Sequence, residues 1–237
     1  MNDASIGQPP AELRRAIAAD LAPVRPLAPP WRRALALVPL AAVLLVAAPL
    51  IFQFRDLDAL GWVLSWGASG LQAIAGVALI AAALRESVPG RNWSSAALAL
   101  IAAGALALVI AVSVASWHAS PVTLGRAWLT VGVICFVASA LSALPVTIVA
   151  VLLALSALPT RPAVTGLLAG LGGGLMADAG WRLFCHFSDP PHVLVSHLGG
   201  VVCAALVGAA LTPMLARATE ARNRATEARN HGAVRKH

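Results

Sequence analysis

Two thiols, a carboxylate–guanidinium pair and a run of imidazoles are the residues of this sequence that could do chemistry. Its three cysteines are Cys135, Cys185 and Cys203, and they show neither CxxC nor zinc-finger spacing. Asp178, Arg182 and Cys185 stand at i, i+4 and i+7, so one face of a helix carries all three. An ionisable group inside an apolar segment is costly to leave unpaired, and Arg182, one turn from Asp178, is the partner that the spacing offers. The plainer reading of that pair is a pin between neighbouring helices. His186, His192 and His197 follow closely, with Asp189 among them and His118 in an earlier polar stretch. Cys185, His186, His192 and His197 are chemically suited to a soft or borderline cation, although no tight ligand motif joins them. No nucleophile–base pairing, phosphate loop or HExxH appears, so the expectation is that the protein is not an enzyme.

The elements that must position these residues are membrane helices. The chain is 59% hydrophobic and 11% charged, with a mean hydropathy of +0.81. In water such a chain would expose far more apolar area than its polar side chains could cover, which excludes an ordinary soluble domain. Six stretches are long and apolar enough to span a bilayer: about 34–52, 61–84, 94–115, 129–156, 162–184 and 193–215. They are too long for barrel strands and lack strict alternation, so the expected fold is all-α, a six-helix transmembrane bundle. The first apolar run starts too late and is too long for a cleavable signal peptide.

Orientation follows from the basic residues. With both termini in the cytoplasm, only Arg55, Arg126 and Arg182 of the 17 basic residues fall on the outer side. The net charge of +7 sits in the tails and short loops rather than on one face of a domain, so topology accounts for it and nucleic acid is not an expected partner. All seven tryptophans lie close to the ends of the expected helices, where indole settles at the lipid interface. In this topology Cys135 lies about two turns into the fourth span and Cys185 at the outer end of the fifth, at similar heights. Cys203, near mid-membrane, reads as a small core residue. Residue spacing leaves Cys135 and Cys185 either as a disulfide pair or as two unrelated packed thiols.

The chain divides into a tail of residues 1–33, a membrane domain of 34–215 and a charged tail of 216–237. Pro9 and Pro10 open a short helix over Glu12–Leu21, with Leu13, Ile17 and Leu21 as a narrow apolar stripe. Pro23, Pro26, Pro29 and Pro30 then favour an extended tether. Such a helix suits either a partner groove or the lipid surface. Gly166, Gly170 and Gly174 at four-residue spacing predict close helix contact by the fifth span, and Pro145, Pro39 and Pro49 are candidate kink sites. Arg217–Asn223 reads RATEARN and is repeated at Arg224–Asn230, predicting a solvated extension of the last helix.

LRRAIAADLAPVRPLAPPWRRALAL at Leu13–Leu37, VPGR at Val88–Arg91 and CHFSDPPHVLVSH at Cys185–His197 together resemble the NrsF-type negative regulators of sigma factors. The resemblance covers nearly the whole chain in span count and spacing. It implies a multi-pass anti-sigma factor of the bacterial inner membrane, acting on an extracytoplasmic-function (ECF) sigma factor. The cytoplasmic N-terminal segment would hold that partner through Leu13, Arg14, Arg15, Ile17, Leu21, Val24 and Arg25. The resemblance also pairs Cys135 with Cys185 as sensor thiols for heavy-metal or oxidative stress. No resident cofactor is implied, only transient binding of a heavy metal, and the oligomeric state is left open. The RATEARN repeat departs from the family's short C-terminus. Two rival readings are a membrane thiol oxidoreductase, which lacks a visible second exchanging pair, and a small metal or solute transporter with its histidines at the mouth.

Overall fold

The structure, a computed structural model, describes residues 10–21, 26–52 and 57–234. Among these residues every regular element is helical. Six helices are long and apolar enough to cross a membrane: Pro30–Ala47, Leu60–Glu86, Ser95–Ala119, Gly125–Leu155, Pro162–Phe184 and Pro190–Thr226. The expected six-span, all-α architecture is therefore present, with most boundaries shifted by a few residues and the sixth span reaching Thr226 rather than 215. The first span starts earlier because Pro29 and Pro30 open it, and Pro30 needs no N–H partner at a helix start. A turn at Ala36–Leu37 interrupts it just before Pro39. Pro145 sits within a continuous helix of the fourth span.

The fifth span is the axis of the bundle. It is the most buried of the six and packs against the first, second, fourth and sixth. Glycine makes this possible. A Cβ on Gly166 would meet the Gly208 carbonyl, and one on Gly170 the Ala204 carbonyl, both across the interface with the sixth span. Gly172 faces Gly76 of the second span in the same way, and Gly180 faces Leu44 of the first. Backbones this close leave no room for side chains, which is how helices associate where lipid removes the hydrophobic drive.

Hydrogen bonds between connections define the two ends of the bundle. At one end the Arg33 guanidinium donates to the Leu153 carbonyl and, at 2.9 Å, to Ser156 Oγ, capping the end of the fourth helix. Buried Glu86 pairs with Arg161 there; it also accepts from the Trp93 backbone N–H at 2.7 Å and from Asn92 at 3.0 Å. Val88–Arg91 forms the turn between the second and third spans. Gly90 has φ of +79° and the Arg91 N–H bonds the Val88 carbonyl, the geometry that asks for glycine at this position. At the other end the Ser188 N–H donates to the Val122 carbonyl at 3.0 Å, tying the connection after the third span to the one after the fifth.

The tail helix, Ala11–Asp20, begins after Pro10 as its sequence predicts, and Leu13, Ile17 and Leu21 are 51, 50 and 74% exposed. Arg14 and Arg15 are exposed too, while Val24 and Arg25 lie outside the described residues. The last helix runs on to Val234. The exposed Glu220–Arg224 pair lies across the repeat junction at 3.8 Å.

Candidate functional site

The site sits where the fourth, fifth and sixth spans meet, at the end of the bundle away from Arg33. Cys135 projects from the second turn of the fourth helix, and Cys185 caps the fifth, its N–H bonded to the Trp181 carbonyl. Asp189 then caps the next helix, accepting from the His192 N–H at 3.3 Å, and Pro190 and Pro191 fill the first positions. The residues Val193–His197 form a π turn before the α-helix resumes at Leu198. That turn decides the chemistry. In a regular α-helix His192 and His197 would point about 140° apart. The wider turn brings them onto one face, with ring centroids 5.1 Å apart and edge to face.

Cys135, Cys185, His192 and His197 converge as a result. Each offers one ligand atom, and the four atoms lie within 4.8 Å of one another; all four residues are buried. The Cys185 sulfur is 3.2 Å from His192 Nε2. Both cysteines are free thiols, and Cys203 stands apart, partly buried. The Cys135 thiol and burial together push the Cys185 thiol above its ordinary pKa.

A second layer braces the first. Asp178, fully buried, takes His197 Nδ1 on one oxygen at 2.7 Å. On the other it accepts from Arg182 Nε at 2.9 Å and from Gln72 Nε2 at 2.6 Å. Arg182 also donates to Ser113 Oγ at 2.9 Å, and Trp181 Nε1 to Ser142 Oγ at 2.8 Å. Residues of the second, third, fifth and sixth spans are thus joined through one carboxylate. A small cavity lined by Ser116, Arg182, Cys185, Phe187, Ser188, Val193 and His197 lies beside the centre.

Of the candidate ligands, Cys185, His192 and His197 come together, and Cys135 joins them. His186 points elsewhere: it is exposed, with its ring edge-on to Phe184. His118 is exposed as well, and Asp189 serves as a helix cap. The Asp178–Arg182 pair forms as the i, i+4 spacing suggests. Gln72 and the Glu86–Arg161 pair escaped the sequence reading. A lone glutamine in an apolar span was the one available signal for Gln72; Glu86 and Arg161 lie 75 residues apart, and neither had a local partner to reveal the pair.

Six apolar helices around a buried polar centre, with an exposed amphipathic tail, define a multi-pass membrane protein. The family model described as negative regulator of sigma F, NrsF, matches residues 17–217. The chain belongs to the NrsF family of negative regulators of sigma factors. No curated protein and no solved structure matches it.

Proposed function

We propose that this protein is a membrane-bound anti-sigma factor that holds an ECF sigma factor at the inner face of the bacterial plasma membrane. It releases that partner when Cys135 and Cys185, on the outer side, meet heavy-metal or oxidative stress. The observation that carries this reading is the family match, which begins within the tail helix and runs through all six spans. The tail supports it. Leu13 and Ile17 are half exposed, and docking them in a groove contributes roughly 1 kcal/mol each from area burial. Arg14 and Arg15 flank that stripe and Arg25 follows it, and they add charge complementarity; the prolines of the tether limit the ordering cost.

Release needs a difference in affinity between two states of the bundle. A tenfold loosening corresponds to about 1.4 kcal/mol of differential stabilisation. A change at the thiols reaches four spans through Asp178, which gives it several packing contacts on which to act.

The test is co-purification of the full-length protein in detergent with each ECF sigma factor of its own cell. One sigma factor is expected to be retained by the wild type and lost from Leu13→Asp/Ile17→Asp. Retention by that variant at wild-type levels removes the tail contact, and retention of no sigma factor by the wild type removes the function. Cys135→Ser/Cys185→Ser is expected to bind the partner yet fail to release it under metal or oxidant. Normal release from that double variant would dispose of the thiol sensor.

A further inference from the structure

We infer that Cys135, Cys185, His192 and His197 form a four-coordinate centre for a thiophilic d10 divalent cation, zinc or cadmium in class, with Asp178 orienting one of its imidazoles. This deepens the stress-sensing reading and rests on it for its biological use, but the geometry stands apart from any sigma factor. Two thiolates and two imidazoles are a donor set that such ions take in tetrahedral form. A tetrahedral ion with bonds of this kind sets its ligands roughly 3.3–3.8 Å apart. The four ligand atoms here lie within 4.8 Å, with Cys185 and His192 already at 3.2 Å. Side-chain adjustment of about 1 Å closes the longest edge.

His197 supplies the second observation. Its Nδ1 is engaged by Asp178 at 2.7 Å, whereas its buried Nε2 makes no hydrogen bond. A buried ring nitrogen without a partner costs free energy, so something should repay it. The carboxylate fixes the tautomer with the proton on Nδ1, leaving the Nε2 lone pair for an ion. Carboxylate–histidine–metal is the arrangement in which metal-binding imidazoles are usually held. The π turn is the third observation: it places His192 and His197 on one face, which an α-helical turn would not do. A cavity of about 10 Å³ lies against Cys185 and His197, between Ser116, Arg182, Phe187, Ser188 and Val193.

The exchange balances without any redox partner. A divalent ion enters, and the protons of Cys135 and Cys185, with any proton carried on His197 Nε2, leave to solvent. No ligand is oxidised, and no disulfide is needed.

The experiment uses the reduced, full-length protein in detergent, titrated with Co2+ as a coloured probe and then with Cd2+. One equivalent of Co2+ should give thiolate-to-metal charge-transfer absorption with intense tetrahedral ligand-field bands, and Cd2+ should displace it. Cys135→Ser and Cys185→Ser should each lose about half of the charge-transfer intensity. His192→Ala and His197→Gln should keep the thiolate absorption but weaken binding about 10–100-fold, the scale of a lost ligand or its support. Bound Cd2+ should protect Cys135 and Cys185 of the wild type from alkylation, read by mass spectrometry, and leave Cys203 unchanged. That last measurement needs no variant to fold. Weak octahedral spectra, unprotected thiols, or wild-type affinity in His192→Ala/His197→Gln would each overturn the assignment. No sigma factor enters the assay, so its failure leaves the anti-sigma reading intact, and loss of sigma binding leaves the metal centre intact.

Discussion

Asp178 shows how much a single side chain can hold together. It is buried without exposure and accepts from Arg182, Gln72 and His197, three elements of the bundle. Removing one member of a buried ion pair leaves the other charged and unsolvated, at a cost of about 3–5 kcal/mol. Asp178→Asn should therefore lower the thermal midpoint in detergent sharply. Gln72→Leu, which removes one donor to the carboxylate, should cost about 1.5–3 kcal/mol. Equal midpoints for the two variants and the wild type would mean that the network is not stabilising. The Asp178–Arg182 half of this network was legible because i, i+4 spacing is local. Gln72 was not, because its partner lies 106 residues away and no periodicity reports such a meeting.

At the scale of elements, the π turn at Val193–His197 was the least legible feature and the most consequential. Hydropathy located the sixth span but carried no sign that its first turn is wide. The sequence grouped His186 with Cys185, His192 and His197 as candidate ligands and left Cys135 out of that set, whereas the wide turn brings Cys135 in and leaves His186 outside. The wide turn holds one residue more than an α turn. Deleting Leu194, which is exposed within it, should convert the turn to regular helix with the two histidines at i, i+4, still on one face. Deleting Leu206 instead should rotate everything beyond it by about 100° and pull Gly208 off Gly166. The expected outcome is a folded, helical first variant and a misassembled second, compared by size-exclusion profile and circular dichroism. Equal behaviour would show that the turn is not a one-residue insertion. By contrast, the glycine ladder of the fifth span was legible, because four-residue spacing of small residues has essentially one packing use.

At the scale of the molecule, composition carried most of the fold. A mean hydropathy of +0.81 leaves no soluble solution, and charge separates the spans cleanly enough to count them. Composition did not give the second role of several charges. Arg33 and Arg161 were read as topological signals, yet both are hydrogen-bonded into the bundle. Trp93 and Trp181, read as interface anchors, donate to Ala82 and Ser142 inside the protein. Two independent sets of contacts mark the bundle's ends: Arg33, Glu86 and Arg161 at one, Ser188 and Val122 at the other. If the arginine bias sets orientation, reporters fused at Met1 and after His237 should read as cytoplasmic, and one inserted between Val122 and Leu124 as periplasmic. A periplasmic N-terminal reporter would place the tail out of reach of any sigma factor.

The fourth helix links the two ends in one rigid piece. Cys135 sits near its start and Leu153, whose carbonyl Arg33 grips, near its finish, about 27 Å away at 1.5 Å per residue. Helices resist shortening, so an axial shift of this strut at the thiol end must either strain the grip or carry Arg33 along. Arg33 lies only a few residues after the proline tether. The foot of the proline tether is thereby fastened to the far end of the same strut that bears the Cys135 sulfur.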